Sequence, residues 1–231
     1  MLTIMITDVD SLAQLRLLQL LSPVLPVGSF TYSQGLEWAV DAKWVDGEAP
    51  FRQWLVEWID GPLVHQEWPL LSRLYKASVE DDEDALTEWS RYLLATRDTY
   101  ELRQEELSRA DAYLRVLRSL GIDIKTLPLT ALKLTPLASI AWAAAKWHVP
   151  QQSLLISFGH NWLESSVNSG VKIIPLGQSA GQKIIHDLSP TLIDAVALSH
   201  RVEDSELGFS MPAVSMASCS HEKQYSRLYR S

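Results

Sequence analysis

Six histidines, one cysteine and 28 carboxylate side chains are the groups in this sequence of 231 residues that could hold a metal or move a proton. The histidines stand at 65, 148, 160, 186, 200 and 221, too scattered for the clustered soft-ligand sets that bind zinc or nickel. Only Cys219 and His221 sit close together, with His200 the next histidine upstream. They are weak metal candidates, and the plainer reading makes them ordinary hydrogen-bonding residues. No Gly-x-Ser-x-Gly elbow poises a serine, and Cys219 lies in a segment of flexible character, so nucleophilic catalysis has no constellation to run on. The glycine-containing stretch 28–35 lacks both the lysine and the spacing of a phosphate-cradling loop. Carboxylates are plentiful, as on any acidic helical protein. The expectation is a non-catalytic protein with no cofactor of its own.

Two other stretches carry polar residues in apolar context. Residues 25–37 read Leu-Pro-Val-Gly-Ser-Phe-Thr-Tyr-Ser-Gln-Gly-Leu-Glu, a two-proline loop followed by a helix expected to carry Gly35 in its first turns. Glycine there costs about 1 kcal/mol relative to alanine, which points to close packing or a contact surface. Residues 172–182 read Lys-Ile-Ile-Pro-Leu-Gly-Gln-Ser-Ala-Gly-Gln, with Gln178 and Gln182 one turn apart on one face. The serine-rich end, 209–231, has a net charge of +2 from Lys223, Arg227, Arg230 and Glu222, which leaves −10 on the rest of a chain of net charge −8. Its composition suits disorder. Tyr225, Leu228 and Tyr229 fall at i, i+3 and i+4, the spacing of a short helix laid in a partner's groove; packing on its own body is equally open.

The elements that must position these residues are helical. Periodicity of the helical kind recurs along the chain, and no alternating β-branched runs joined by a hairpin turn compete with it. The expected fold is all-α, a single-domain bundle of eight to ten helices over 1–208 with a flexible C-terminal tail, 209–231. Leu12, Leu15, Leu17, Leu18 and Leu21 predict a first helix that stops before Pro23 and Pro26. Trp54, Leu55, Trp58 and Ile59 share a face; Gly61 is expected to end that helix and Pro62 to open the next across a tight turn. The acidic run 80–84 suits a helix start. One long helix, or two nearly continuous ones, is expected over 89–120, with Leu107, Ala110, Leu114 and Leu117 on a stripe and Glu105 and Arg109 as a supporting pair. Helices over 132–147, 151–171 and 176–186 follow. The nine tryptophans are expected to fill the core. Ser166 with Gly170, and Gly177 with Gly181, allow close helix approach.

An excess of acid is the opposite of what phosphate-dominated nucleic-acid binding requires. The most apolar stretch, 137–145, is too short to cross a bilayer. A lone cysteine and the absence of a leader in 1–10 make the cytoplasm the expected location.

Together these segments resemble the urease accessory protein family called UreF. Residues 25–37 are similar to its Leu-Pro-Val-Gly-x-Phe-x-x-Ser-x-Gly-Leu-Glu signature, and residues 172–182 to its Lys-x-x-Pro-Leu-Gly-Gln-x-x-x-Gln stretch. Residues 221–231 match its terminal His-Glu-x-Gln-Tyr-Ser-Arg-Leu-Phe-Arg-Ser with Tyr229 in place of phenylalanine. A looser similarity covers 97–106, where Asp98 and Tyr100 depart from the pattern and inherit no role. The resemblance implies a homodimeric helical scaffold that binds UreD, recruits the GTPase UreG, modulates its GTP cycle and promotes nickel insertion into apo-urease. It assigns UreD contact to Tyr225, Arg227, Leu228, Tyr229 and Arg230, and UreG contact to Glu37, Lys172, Gln178 and Gln182. The alternative is a nickel-carrying metallochaperone using His200, Cys219 and His221.

Overall fold

Proline and glycine set the interruptions in this chain, though not always where sequence rules place them. The structure, a computed structural model, describes residues 11–231; the reading of 1–10 as free of a leader lies outside them. All regular elements among the described residues are helical. Helix α1 (Ser11–Leu20) turns Ala13, Leu17 and Leu20 inward and leaves Leu15 and Leu18 exposed. After the proline loop comes α2 (Leu36–Asp41), and Gly35 precedes it rather than riding in it.

Pro62 opens no new helix. Helix α3 (Glu48–Trp58) continues through a π-helical stretch, Ile59–Glu67, into α4 (Trp68–Val79), so the expected tight turn does not occur. Proline has no N–H to donate and crowds the preceding turn; the wider π turn accommodates both defects without breaking the helix. Gly61 is kept small by packing: a Cβ there would come within 2.5 Å of the Phe209 ring.

Side-chain caps account for the next boundaries. Asp82 accepts a hydrogen bond from the Ala85 amide at 2.9 Å and starts α5 (Glu83–Ala95) inside the acidic run, as expected. Thr99 caps the Leu102 amide at 3.2 Å, so α6 (Tyr100–Ser119) is a separate helix. The helix expected over 132–147 begins four residues later and ends one residue earlier. A four-residue α7 (Leu129–Leu132) precedes α8 (Pro136–Lys146), where Thr135 caps and Pro136 takes the first position. Helices α9 (Gln151–Ile173) and α10 (Gln178–Ser199) follow, the latter passing His186 and running through Pro190. Last is α11 (Pro212–His221).

The core is built around α8, buried from Pro136 to Ala145. Its alanines let α4 and α6 lie close on it, while α9 packs along α10. Large rings fill the remaining space: Trp68, fully buried over Gly159, donates to the Leu155 carbonyl at 2.9 Å, and Phe51 sits against Gly170. One apolar cluster runs from Ala13 in α1 to Ala217 in α11. No helix among the described residues is long and apolar enough to cross a membrane.

Candidate functional site

The C-terminal segment takes the second course its composition leaves open and folds onto the body. Gly35 makes this possible. It stands at φ +83°, and a Cβ would lie 3.0 Å from the Ala217 Cβ and 3.2 Å from the Ser218 amide nitrogen, so only glycine lets α11 approach α2 this closely. Thr99 and Ser218 hydroxyls meet at 2.7 Å and tie α11 to the start of α6.

Beyond α11 the chain is not helical, so the spacing of Tyr225, Leu228 and Tyr229 does not place them on one face. It is held instead by carboxylates from the body. Glu37, on α2, accepts from the Leu228 amide at 2.6 Å and the Tyr229 amide at 2.9 Å. The buried His221 ring lies between Glu37, 3.0 Å from Nε2, and Glu101, 2.7 Å from Nδ1; only a ring protonated on both nitrogens donates to both. Arg227 donates to the other Glu101 oxygen at 2.7 Å. The Arg230 amide donates to the Thr31 carbonyl at 2.8 Å, and the main-chain oxygen of Ser231 accepts from the Ser33 amide at 2.7 Å and hydroxyl at 2.6 Å. The Ser231 hydroxyl donates to Glu105 at 3.0 Å. Ser33, in the signature stretch, thus receives the end of the chain.

Behind this clasp lies a second set of ion pairs. Arg97, in the link between α5 and α6, donates to both Glu67 oxygens at 2.6 and 3.2 Å and to Glu106 at 2.9 Å. Glu106 also accepts from Thr135 at 2.7 Å. Burial alone would depress the Arg97 guanidinium, but Glu106 and Glu67 reverse that and hold it above its ordinary range. Burial pushes the Glu105 carboxyl up, against the pull of Arg109 at 3.0 Å. These groups line a cavity of 70 Å³ with Ser33, Trp58 and Phe158 on its other walls. Arg109 Nε and Trp162 Nε1, on residues of the same lining, are buried without an acceptor among the described residues, and a hydrated interior would satisfy them.

The sequence-predicted residues therefore separate. Tyr225 and Leu228 face outward, at 105% and 65% exposure, while Tyr229 is buried with its hydroxyl donating to the Ser169 carbonyl at 3.3 Å. Arg227 is partly held by Glu101, and Arg230 is exposed. Lys172, Gln178 and Gln182 are exposed together at the junction of α9 and α10; Glu37 is not with them but buried under the clasp. His200 is exposed and bonded to Gln152 at 3.1 Å, Cys219 is exposed, and His221 is engaged by Glu37 and Glu101. No group of three or more His, Cys, Asp or Glu is placed to hold a metal among the described residues.

Sequence reasoning missed Glu67, Glu101 and Glu106 as buried groups. Their signal was faint: Glu106 continues the apolar stripe of Ala110 and Leu114 one turn toward the start of α6, and Glu101 stands one turn before Glu105.

Comparison with known proteins supplies a family. The UreF family profile matches residues 45–189. A urease accessory protein UreF from Pseudomonas putida is 46% identical over 222 residues, covering 96% of this chain and 99% of the relative. Those from Enterobacter sp. and Alcanivorax borkumensis are each 42% identical, covering 94% of this chain and 97% of the relative.

Proposed function

The chain belongs to the UreF family of urease accessory proteins, and from that premise we propose that it is a non-catalytic scaffold for nickel insertion into apo-urease. In this reading the C-terminal clasp binds UreD and the exposed junction of α9 and α10 recruits UreG and modulates its GTP cycle. It works as a homodimer in the cytoplasm, with nickel as cargo of the complex rather than its own cofactor.

The observation that carries the reading is the pairing of a fixed main chain with bare side chains. Glu37 fixes the amides of Leu228 and Tyr229, and Tyr225 and Leu228 are left in solvent. Leu228, an exposed aliphatic group on a held main chain, has the character of an interface anchor whose backbone entropy is already lost before docking, and Tyr225 adds a bare aromatic ring three residues upstream. Arg230 and Lys223, both exposed, add positive charge to the same segment.

Deleting the last residues would also remove Tyr229 and Ser231 from the interior, so point substitutions are the cleaner test. Tyr225→Ala with Leu228→Ala is expected to weaken UreD capture by about 1,000-fold, in line with two anchors of ~2 kcal/mol each, without changing the unfolding midpoint. Full-yield co-purification of this variant with UreD would reject the assignment.

A further inference from the structure

A groove beside the start of α11 has the character of a second docking site. The π-helical stretch and the loop before α11 meet there. Gly208, at φ +107°, donates its amide to the His65 carbonyl at 3.1 Å, and the Phe209 amide donates to Gln66 at 3.3 Å. The Phe209 ring is stacked on His65, 5.7 Å between centroids, and pressed over Gly61. Tyr92 secures the preceding residue by donating to the Leu207 carbonyl at 2.8 Å, and Asp98 accepts from the Ser210 and Ser215 hydroxyls. One wall of the groove is therefore built before any partner arrives.

The space between this wall and α3 measures 420 Å³, within the range of roughly 300–1,000 Å³ typical of ligand-taking clefts. Val56, Phe209, Met211 and Pro212 give it an apolar surface, and Phe209 remains 44% exposed despite its fixed ring. Glu57 and Asp60 stand on its rim. Glu57 accepts only from Gln53, at 3.0 Å, and Asp60 has no partner among the described residues. Among the described residues no lysine, arginine or histidine lines the groove. An apolar seat under two uncompensated carboxylates selects by charge as well as by shape.

We infer that this groove docks a segment of a partner protein that presents a large apolar side chain flanked by lysine or arginine. The apolar side chain seats against Phe209 and Val56, and the flanking cations meet Glu57 and Asp60. Tyr225 and Leu228 do not line the groove, so the inference stands apart from the UreD reading.

The test is a binding titration of the full chain with a short peptide in which lysine alternates with leucine and phenylalanine, followed by fluorescence anisotropy. Its glutamate counterpart serves as the opposite probe. Saturable binding of the lysine peptide is expected, with none of the glutamate peptide. Glu57→Lys with Asp60→Lys should weaken it by roughly tenfold or more, and Val56→Asp should do the same without charge reversal. Asp111→Lys with Asp194→Lys changes the net charge equally at exposed positions outside the groove and should leave affinity within about twofold. Absence of saturable binding would overturn the inference. So would equal weakening by the two charge-reversed pairs, or binding indifferent to Val56, Glu57 and Asp60.

Discussion

Arg97 sits between Glu67 and Glu106 with little solvent to screen any of them, 13% of its side chain exposed against 7% for each carboxylate. Such a group is worth most through what its loss leaves behind. Arg97→Ala would strand two buried carboxylates, and removal of one partner from a buried pair costs about 3–5 kcal/mol. Urea unfolding is expected to show a loss of that size; a loss under about 1 kcal/mol would mean that water reaches the pair freely. Glu105 makes a prediction of opposite character. Its carboxyl is raised on folding by burial, so its contribution to stability is complete below the unfolded value of about 4.3 and is lost as pH rises through the folded one. Glu105→Gln does not titrate. Its deficit against the native chain should therefore shrink as pH rises from mildly acidic to neutral in paired unfolding curves, and a deficit that grows would contradict the burial argument.

At the scale of elements, two glycines show how a missing side chain sets a contact. Gly35→Ala must place a Cβ at positive φ, a cost of about 1–2 kcal/mol, and push it against α11. The expected result is a destabilised protein whose α11 amides exchange faster than those of α8; unchanged exchange in α11 would show that the contact does not hold it. That Gly35 mattered was legible in its unfavourable position near a helix start, but its partner, 182 residues further on, was not. The same division holds elsewhere. Periodicity and proline placement announced an all-α chain, and Asp82 opened α5 within the acidic run. Local rules misread Pro62, because a π-helical turn absorbed it, and started α8 four residues early, because nothing about Thr135 announces that its hydroxyl caps Leu137. The inward glutamates of α6 were hidden for a related reason: their partners Thr135, His221 and Ser231 come from later segments, and a charged residue on a helix reads as solvated until those segments converge.

For the whole molecule, the contrast between an acidic body and a basic end acquires a structural meaning. Composition left the end of the chain free to be a loose tail or a packed one. Glu37, Glu101 and Glu105 draw it down as a strap, and the side chains left outside include Tyr225, Leu228, Lys223 and Arg230. The account rests on that strap being formed in the isolated chain, before any partner binds. Hydrogen–deuterium exchange of the isolated protein tests it most directly. The amides of Leu228, Tyr229 and Arg230, which donate to Glu37, Glu37 and Thr31, are predicted to exchange at least about tenfold more slowly than those of Tyr225 and Ser226. Uniformly fast exchange across 222–231 would contradict the account, because it would mean that the surface is made by the partner and not presented to it.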